Sequence, residues 1–148
     1  MQIFITGSPF ETAKALDKKR LSKQIIEAKQ VLKAVNGESK AWEKHPVVKM
    51  YRDPGAVLYL KGYLLILENY RDGKMFMIRF LNKIIHAIRP DFHTEEYYDQ
   101  MKRRLYTKDN AHYAQWASLG QSEVNWYYDP ETHSWLYYKN KKRTSEKV

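Results

Sequence analysis

The sequence predicts an all-α (mainly α) protein: a compact single-domain helical fold with a small aromatic C-terminal hairpin or irregular tail. Three observations carry this. Apolar residues recur at helical spacing through most of residues 9–119. The breaks between those stretches hold cap and turn residues, such as Asp53-Pro54-Gly55, Asp72-Gly73 and Arg89-Pro90. After residue 120 the helical period gives way to two aromatic, strand-like runs around a Pro-containing turn. A chain of 148 residues that is 43% hydrophobic and 14% aromatic is long enough to bury one real core. We therefore expect one domain over 1–148, with a helical core at 1–120, an aromatic appendage at 121–138 and a basic, mobile tail at 139–148.

IFI at 3–5 reads as a short extended segment. Ser8 then caps a helix, with Pro9 in its first turn and Glu11 completing a capping box. Asp17 caps a second helix, in which Leu21, Ile25, Ala28, Leu32 and Val35 share one face until Asn36-Gly37 stops it. A polar loop, ESKAWEKHP, leads to the Asp53-Pro54-Gly55 turn. Residues 56–71 read as a buried helix that is apolar nearly all round. After Asp72-Gly73, residues 74–88 resume helical register up to Arg89-Pro90. Helices at about 94–105 and 109–119 follow, capped by Thr94 and Asp109 and ended by Gly120. Met75, Met77 and Met101 read as core filler.

Lys and Arg number 26 against 17 Asp and Glu, a net charge of +9, which points to a polyanionic partner such as nucleic acid or anionic lipid. The absence of cysteine excludes disulfides and thiolate chemistry. Five scattered histidines have no HExxH-like spacing, so no metal and no cofactor are expected. The N-terminus MQIFITGSPF lacks a basic segment and a long apolar run, so the expected location is cytoplasmic, or the host cytoplasm if the chain is phage-encoded. The longest uncharged run in the richest apolar region, GYLLIL, is far below the ~20 residues needed to span a bilayer, so no membrane association is expected.

On a helical wheel Arg20 and Glu27 fall within about 20° of each other at the flank of the apolar stripe, with Lys23 further out. Read alone, this is a solvated face with a weak Lys23–Glu27 pair, worth at most a few tenths of a kcal/mol. The wider pattern adds a second reading. MQIFI at the N-terminus, then L-D-K-x-R-L-x-K-x-x-x-E-A-x-x-V-L over residues 16–32, then a glycine and His45-Pro46 before a long apolar helix, resembles the pyrimidine-dimer DNA glycosylase family of the phage endonuclease V type. The resemblance covers about the first 75 residues. Beyond them only the tail WLYYKNKK is similar to the family's aromatic C-terminal region.

The resemblance implies a metal-free helical enzyme in which a free α-amine attacks C1′ of a damaged nucleotide and displaces the base. The resulting Schiff base is followed by strand cleavage through β-elimination. Glu27 corresponds to the family's essential carboxylate. Family members expose the amine of a small second residue, whereas bulky Gln2 here disfavours removal of Met1, so Met1 itself is the expected nucleophile. Ile26 and Gln30 stand where better-known members place arginines, which leaves Arg20 and Lys23 as phosphate contacts. An α-amine ordinarily titrates at about 7.7–8.0, so a neutral fraction exists near pH 7.

The implied partner is double-stranded DNA, bound by a monomer. Its expected contacts are Gln2, Arg20, Lys23, His45, Arg52, Lys139 and Lys141. Trp135, Tyr137 and Tyr138 are base-stacking candidates, although strand aromatics also pack on helical cores. Lys102-Arg103-Arg104 is a further electrostatic candidate for the DNA backbone. His45-Pro46 equally reads as a loop end, because proline restricts its predecessor to extended geometry, and Arg52 as a solvated turn. The alternative function is a non-catalytic basic DNA-binding protein on the same scaffold, and a third is a glycosylase for a modified pyrimidine.

Overall fold

The computed structural model describes residues 1–139 and 145–147; for residues 138, 139 and 145–147 it describes the backbone only. Six α-helices run in chain order: α1 (Pro9–Ala15), α2 (Lys18–Val35), α3 (Pro46–Met50), α4 (Pro54–Arg71), α5 (Ile78–Ala87) and α6 (Glu95–Lys108). A 3-10 segment, Ala114–Leu119, precedes a small antiparallel sheet of β1 (Val124–Asp129), β2 (Ser134–Lys139) and β3 (Ser145–Lys147), in the order β1-β2-β3. The protein is thus mainly α with a small sheet, as its periodicity predicts. The hairpin is in register from Val124↔Lys139 to Asp129↔Ser134. The basic composition of the tail gives no sign of the third strand.

The caps explain most of the helix starts. Ser8 Oγ accepts from the Glu11 amide and donates to the Glu11 carboxylate, with Pro9 at the first helical position. Asp53 accepts from the Gly55 amide ahead of α4, and Thr94 from the Tyr97 amide ahead of α6. Asp17 stands at the start of α2 but does not cap it with its side chain. Its carboxylate instead takes the Tyr113 hydroxyl at 2.5 Å and pairs with Arg20 at 3.2 Å.

Four expectations need correction. The loop before Asp53 contains α3, which His45 caps by accepting the Val47 amide on Nδ1 at 3.1 Å; five residues are too few to show a period. The expected helix at 109–119 is a turn followed by the 3-10 segment. Tyr113, Trp116 and Leu119 recur every three residues, the repeat of a 3-10 rather than an α-helix, and the first two stack at 5.4 Å. The α5 helix starts at Ile78 rather than 74, because Gly73 adopts φ 73° and a turn follows; this leaves Met75 and Met77 exposed, whereas Met101 is core. Finally, α4 is not buried all round: Leu58 and Leu65 face outward.

The core centres on α4, whose Tyr59, Leu60, Tyr63, Ile66 and Leu67 are fully buried, with α2 and α5 packed on it. Ile3 and Ile5 are fully buried too, so the first residues are threaded into the core rather than laid over it. The sheet closes the other side: Trp135 stacks on Tyr97 of α6 at 4.9 Å, and Tyr128 on Phe92 at 5.3 Å.

Helices α4 and α5 touch through Gly62. A Cβ built there would lie 2.3 Å from Cδ1 and 2.5 Å from Cγ1 of buried Ile85. Helix propensity alone favours alanine over glycine by about 1 kcal/mol, but forcing a methyl into a close-packed seam costs about 1–3 kcal/mol. Gly62→Ala is therefore expected to lower the melting temperature, and adding Ile85→Ala to relieve part of the clash per se. A raised melting temperature in the single variant contradicts this packing.

Candidate active site at the N-terminus

The site is built where the N-terminal segment crosses α2. Gln24, one turn ahead of Glu27 and only 1% exposed, holds the segment by its backbone: its Oε1 accepts the Phe4 amide at 2.5 Å and its Nε2 donates to the Gln2 carbonyl at 2.9 Å. The Tyr63 hydroxyl donates to the same Oε1 at 2.8 Å, which fixes the amide's orientation. From α6, the Tyr97 hydroxyl donates to the Ile3 carbonyl at 3.2 Å.

Glu27 is 8% exposed and is not the solvated surface charge that its wheel position allows. Its Oε2 accepts the Gln2 amide at 2.7 Å. The Tyr127 hydroxyl on β1 donates to the Met1 carbonyl at 2.9 Å. The peptide unit joining residues 1 and 2 is therefore held at both ends, at its carbonyl by β1 and at its amide by α2. The amine next to it can move only by rotation about the bonds of Met1.

Electrostatics around that amine follow from burial and neighbours. Burial lowers its pKa below the ordinary 8.0, the Glu27 carboxylate opposes the change, and Lys23, Lys108 and Arg104 push further down. The sign is that a larger share of the amine is neutral, hence nucleophilic, at pH 7. Lys108 lies over the Phe4 ring at 5.9 Å, and burial together with Arg104, Arg20 and Lys23 lowers its own pKa. Arg104 is 5% exposed, and among the described residues its Nε has no hydrogen-bond acceptor. A guanidinium in that position stays charged. A buried cation with an unmet donor suits an anion such as phosphate.

The sequence-derived positions divide clearly. Met1, Glu27 and Lys23 come together, and Arg20 joins their edge while bound to Asp17. Gln2 is 3% exposed and its side chain donates to the Trp126 carbonyl at 3.2 Å, so it ties the segment to β1. His45 belongs to this site: its ring lies edge-on to Tyr127 at 5.5 Å and to Trp42 at 5.7 Å. Burial, then the charge of the N-terminal amine, lowers its pKa to about 4.

Arg52 lies further out, where it donates to the Glu43 carbonyl and lines a groove of about 430 Å³ between α3 and the sheet. Tyr127 is a wall shared by that groove and the amine site. Trp135 packs on Tyr97, and Tyr137 on Trp126 at 5.2 Å. Lys141 and the side chains of Tyr138 and Lys139 lie outside the described residues.

Gln24 and Lys108 were missed by sequence reasoning. Gln24 could have been found as a polar residue on the apolar face, between Leu21 and Ala28. Lys108 has no comparable local signal, since only the packing of α6 against the N-terminus brings it close.

Residues 1–71 of the 148 match the family model described as pyrimidine dimer DNA glycosylase. That portion runs from Met1 through α4 and contains Glu27, Gln24 and His45, and the match bears out the resemblance read from the sequence. No curated protein and no solved structure matches the chain.

The cation cluster gives a prediction about the amine itself. Lys108→Met or Lys23→Met should raise the Met1 amine's pKa and Glu27→Gln should lower it, as read from the pH dependence of reductive methylation of Met1. Shifts of opposite sign contradict the assigned neighbours.

Proposed function

We propose that this chain is a DNA glycosylase with associated AP-lyase activity on damaged duplex DNA, using the Met1 amine as nucleophile and Glu27 as the catalytic carboxylate. The observation that carries this reading is the bond from the Gln2 amide to the buried Glu27 carboxylate, which keeps an acid beside the residue bearing the amine. The family match over residues 1–71 supports the substrate class.

The chemistry follows from those groups. The neutral amine forms a bond to C1′ as the bond from C1′ to the base breaks, and the base departs with a proton. Glu27 takes the amine's second proton and passes it to the ring oxygen as the sugar opens, leaving an imine between Met1 and C1′. Loss of a C2′ proton then expels the 3′ phosphate by β-elimination. Hydrolysis of the imine releases the enzyme. The target nucleotide must be exposed by bending or flipping, at a cost of a few kcal/mol offset by phosphate contacts. Arg104, Lys108 and Lys23 are the cations best placed to supply them.

Borohydride should trap a covalent adduct between the protein and dimer-containing or abasic duplex, mapping to the N-terminal peptide. Failure to trap, under conditions that trap a known amine lyase, removes the mechanism. Glu27→Gln keeps an oxygen that can accept the Gln2 amide while losing the charge, so DNA binding should persist and strand cleavage fall by about two orders of magnitude or more. Unchanged turnover refutes Glu27's role. Lys108→Met should reduce the slope of log affinity against log salt by about 0.9, the signature of one lost phosphate contact.

A further inference from the structure

His45 is fixed in an unusual way for a histidine beside a reactive amine. Its Nδ1 accepts the Val47 amide at 3.1 Å to cap α3. A nitrogen that accepts a hydrogen bond from an N–H cannot itself carry a proton, so the neutral ring must hold its proton on Nε2. Edge contacts to Trp42 and Tyr127 hold the ring plane. Tyr127 in turn bonds to the Met1 carbonyl, and the amine's charge bears on the imidazole, so the ring and the nucleophile share one site.

Two roles are thereby closed to it. It is not a general base, because Nε2 is protonated and Nδ1 is committed to the backbone. It is not a cation for phosphate near neutral pH, because burial and the neighbouring amine hold its pKa near 4. What remains is a neutral, oriented N–H donor.

We infer that His45 Nε2–H is a substrate-positioning donor to an uncharged oxygen of the target nucleotide, either the deoxyribose ring oxygen or a pyrimidine carbonyl. This inference rests on the glycosylase reading and adds to it a residue that contributes orientation without charge. The donor costs the site no proton and competes with none of the surrounding lysines, which keep the phosphates.

The substitutions are chosen from the geometry. In His45→Asn the side-chain oxygen can take the place of Nδ1 and still cap α3, but no donor reaches the position of Nε2. In His45→Gln the amide nitrogen reaches that position. Asparagine should therefore reduce single-turnover cleavage by about tenfold or more at unchanged melting temperature, and glutamine should restore a substantial part. A loss on both abasic and dimer-containing duplex identifies the sugar oxygen; a loss confined to the dimer duplex identifies the base carbonyl.

The salt dependence of DNA binding should be the same for His45→Asn as for the unaltered chain, whereas a slope smaller by about 0.9 means a phosphate contact and overturns the inference. Nitrogen NMR of the unaltered protein should find the His45 proton on Nε2, with no titration between pH 5.5 and 8; a proton on Nδ1, or a titration in that range, overturns it as well. Full trapping by the unaltered protein with unimpaired His45→Asn sinks this inference alone. No trapping by the unaltered protein sinks the glycosylase reading together with it.

Discussion

One hydrogen bond sets the arrangement on which the rest depends: the Gln2 amide donating to the buried carboxylate of Glu27 at 2.7 Å. Taking a carboxylate out of water is costly unless it is hydrogen-bonded and near positive charge. Here the amide of residue 2 supplies the hydrogen bond, and the positive charge of Lys108 bears on the carboxylate. The attachment also explains why Ile3 and Ile5 are fully buried. With Gln24 holding the backbone of residues 2 and 4, their side chains are carried into the core beneath α2.

The charges divide into two kinds. Among the described residues most basic side chains are exposed, and such charges attract a polyanion without orienting it. Arg104 differs in being buried, and Lys108, one helical turn further along α6 and exposed, lies over the Phe4 ring of the N-terminal segment. Their positive field favours the neutral amine, while Glu27 limits the shift. The amine is thus held between opposing influences, with desolvation the largest. A site of this design suits a phosphate and enlarges the neutral share of the Met1 amine at pH 7.

Much of the fold was legible because it rests on local chemistry. Ser8, Asp53 and Thr94 are caps whose partners lie two or three residues away, and α2, α4 and α6 repeat their apolar residues often enough to be read. Helix α3 was too short for a period, and the 3-10 segment follows a three-residue repeat that resembles a weak helix. Asp17 reads as a cap from its neighbours alone, but Tyr113, far along the chain, takes its carboxylate. The same limit applies at the site. Glu27 and Met1 could be paired from the order of motifs, whereas the burial of Glu27, the clamp by Gln24 and the approach of Lys108 depend on tertiary packing. For Gln2, expected as a DNA contact from its place at the chain's start, packing decides the surroundings: its side chain is buried and its Nε2 donates to the Trp126 carbonyl.

The most direct test converts the Met1 amine into an amide while leaving every other group in place. A chain carrying one additional glycine ahead of Met1, released from a fusion by a site-specific protease, retains Glu27, Gln24 and the cation cluster. The account predicts that this protein folds and binds duplex DNA with the salt dependence of the unextended chain, yet loses strand cleavage and forms no borohydride adduct through Met1. Cleavage at the unextended rate, with no adduct at the new terminus, would contradict it.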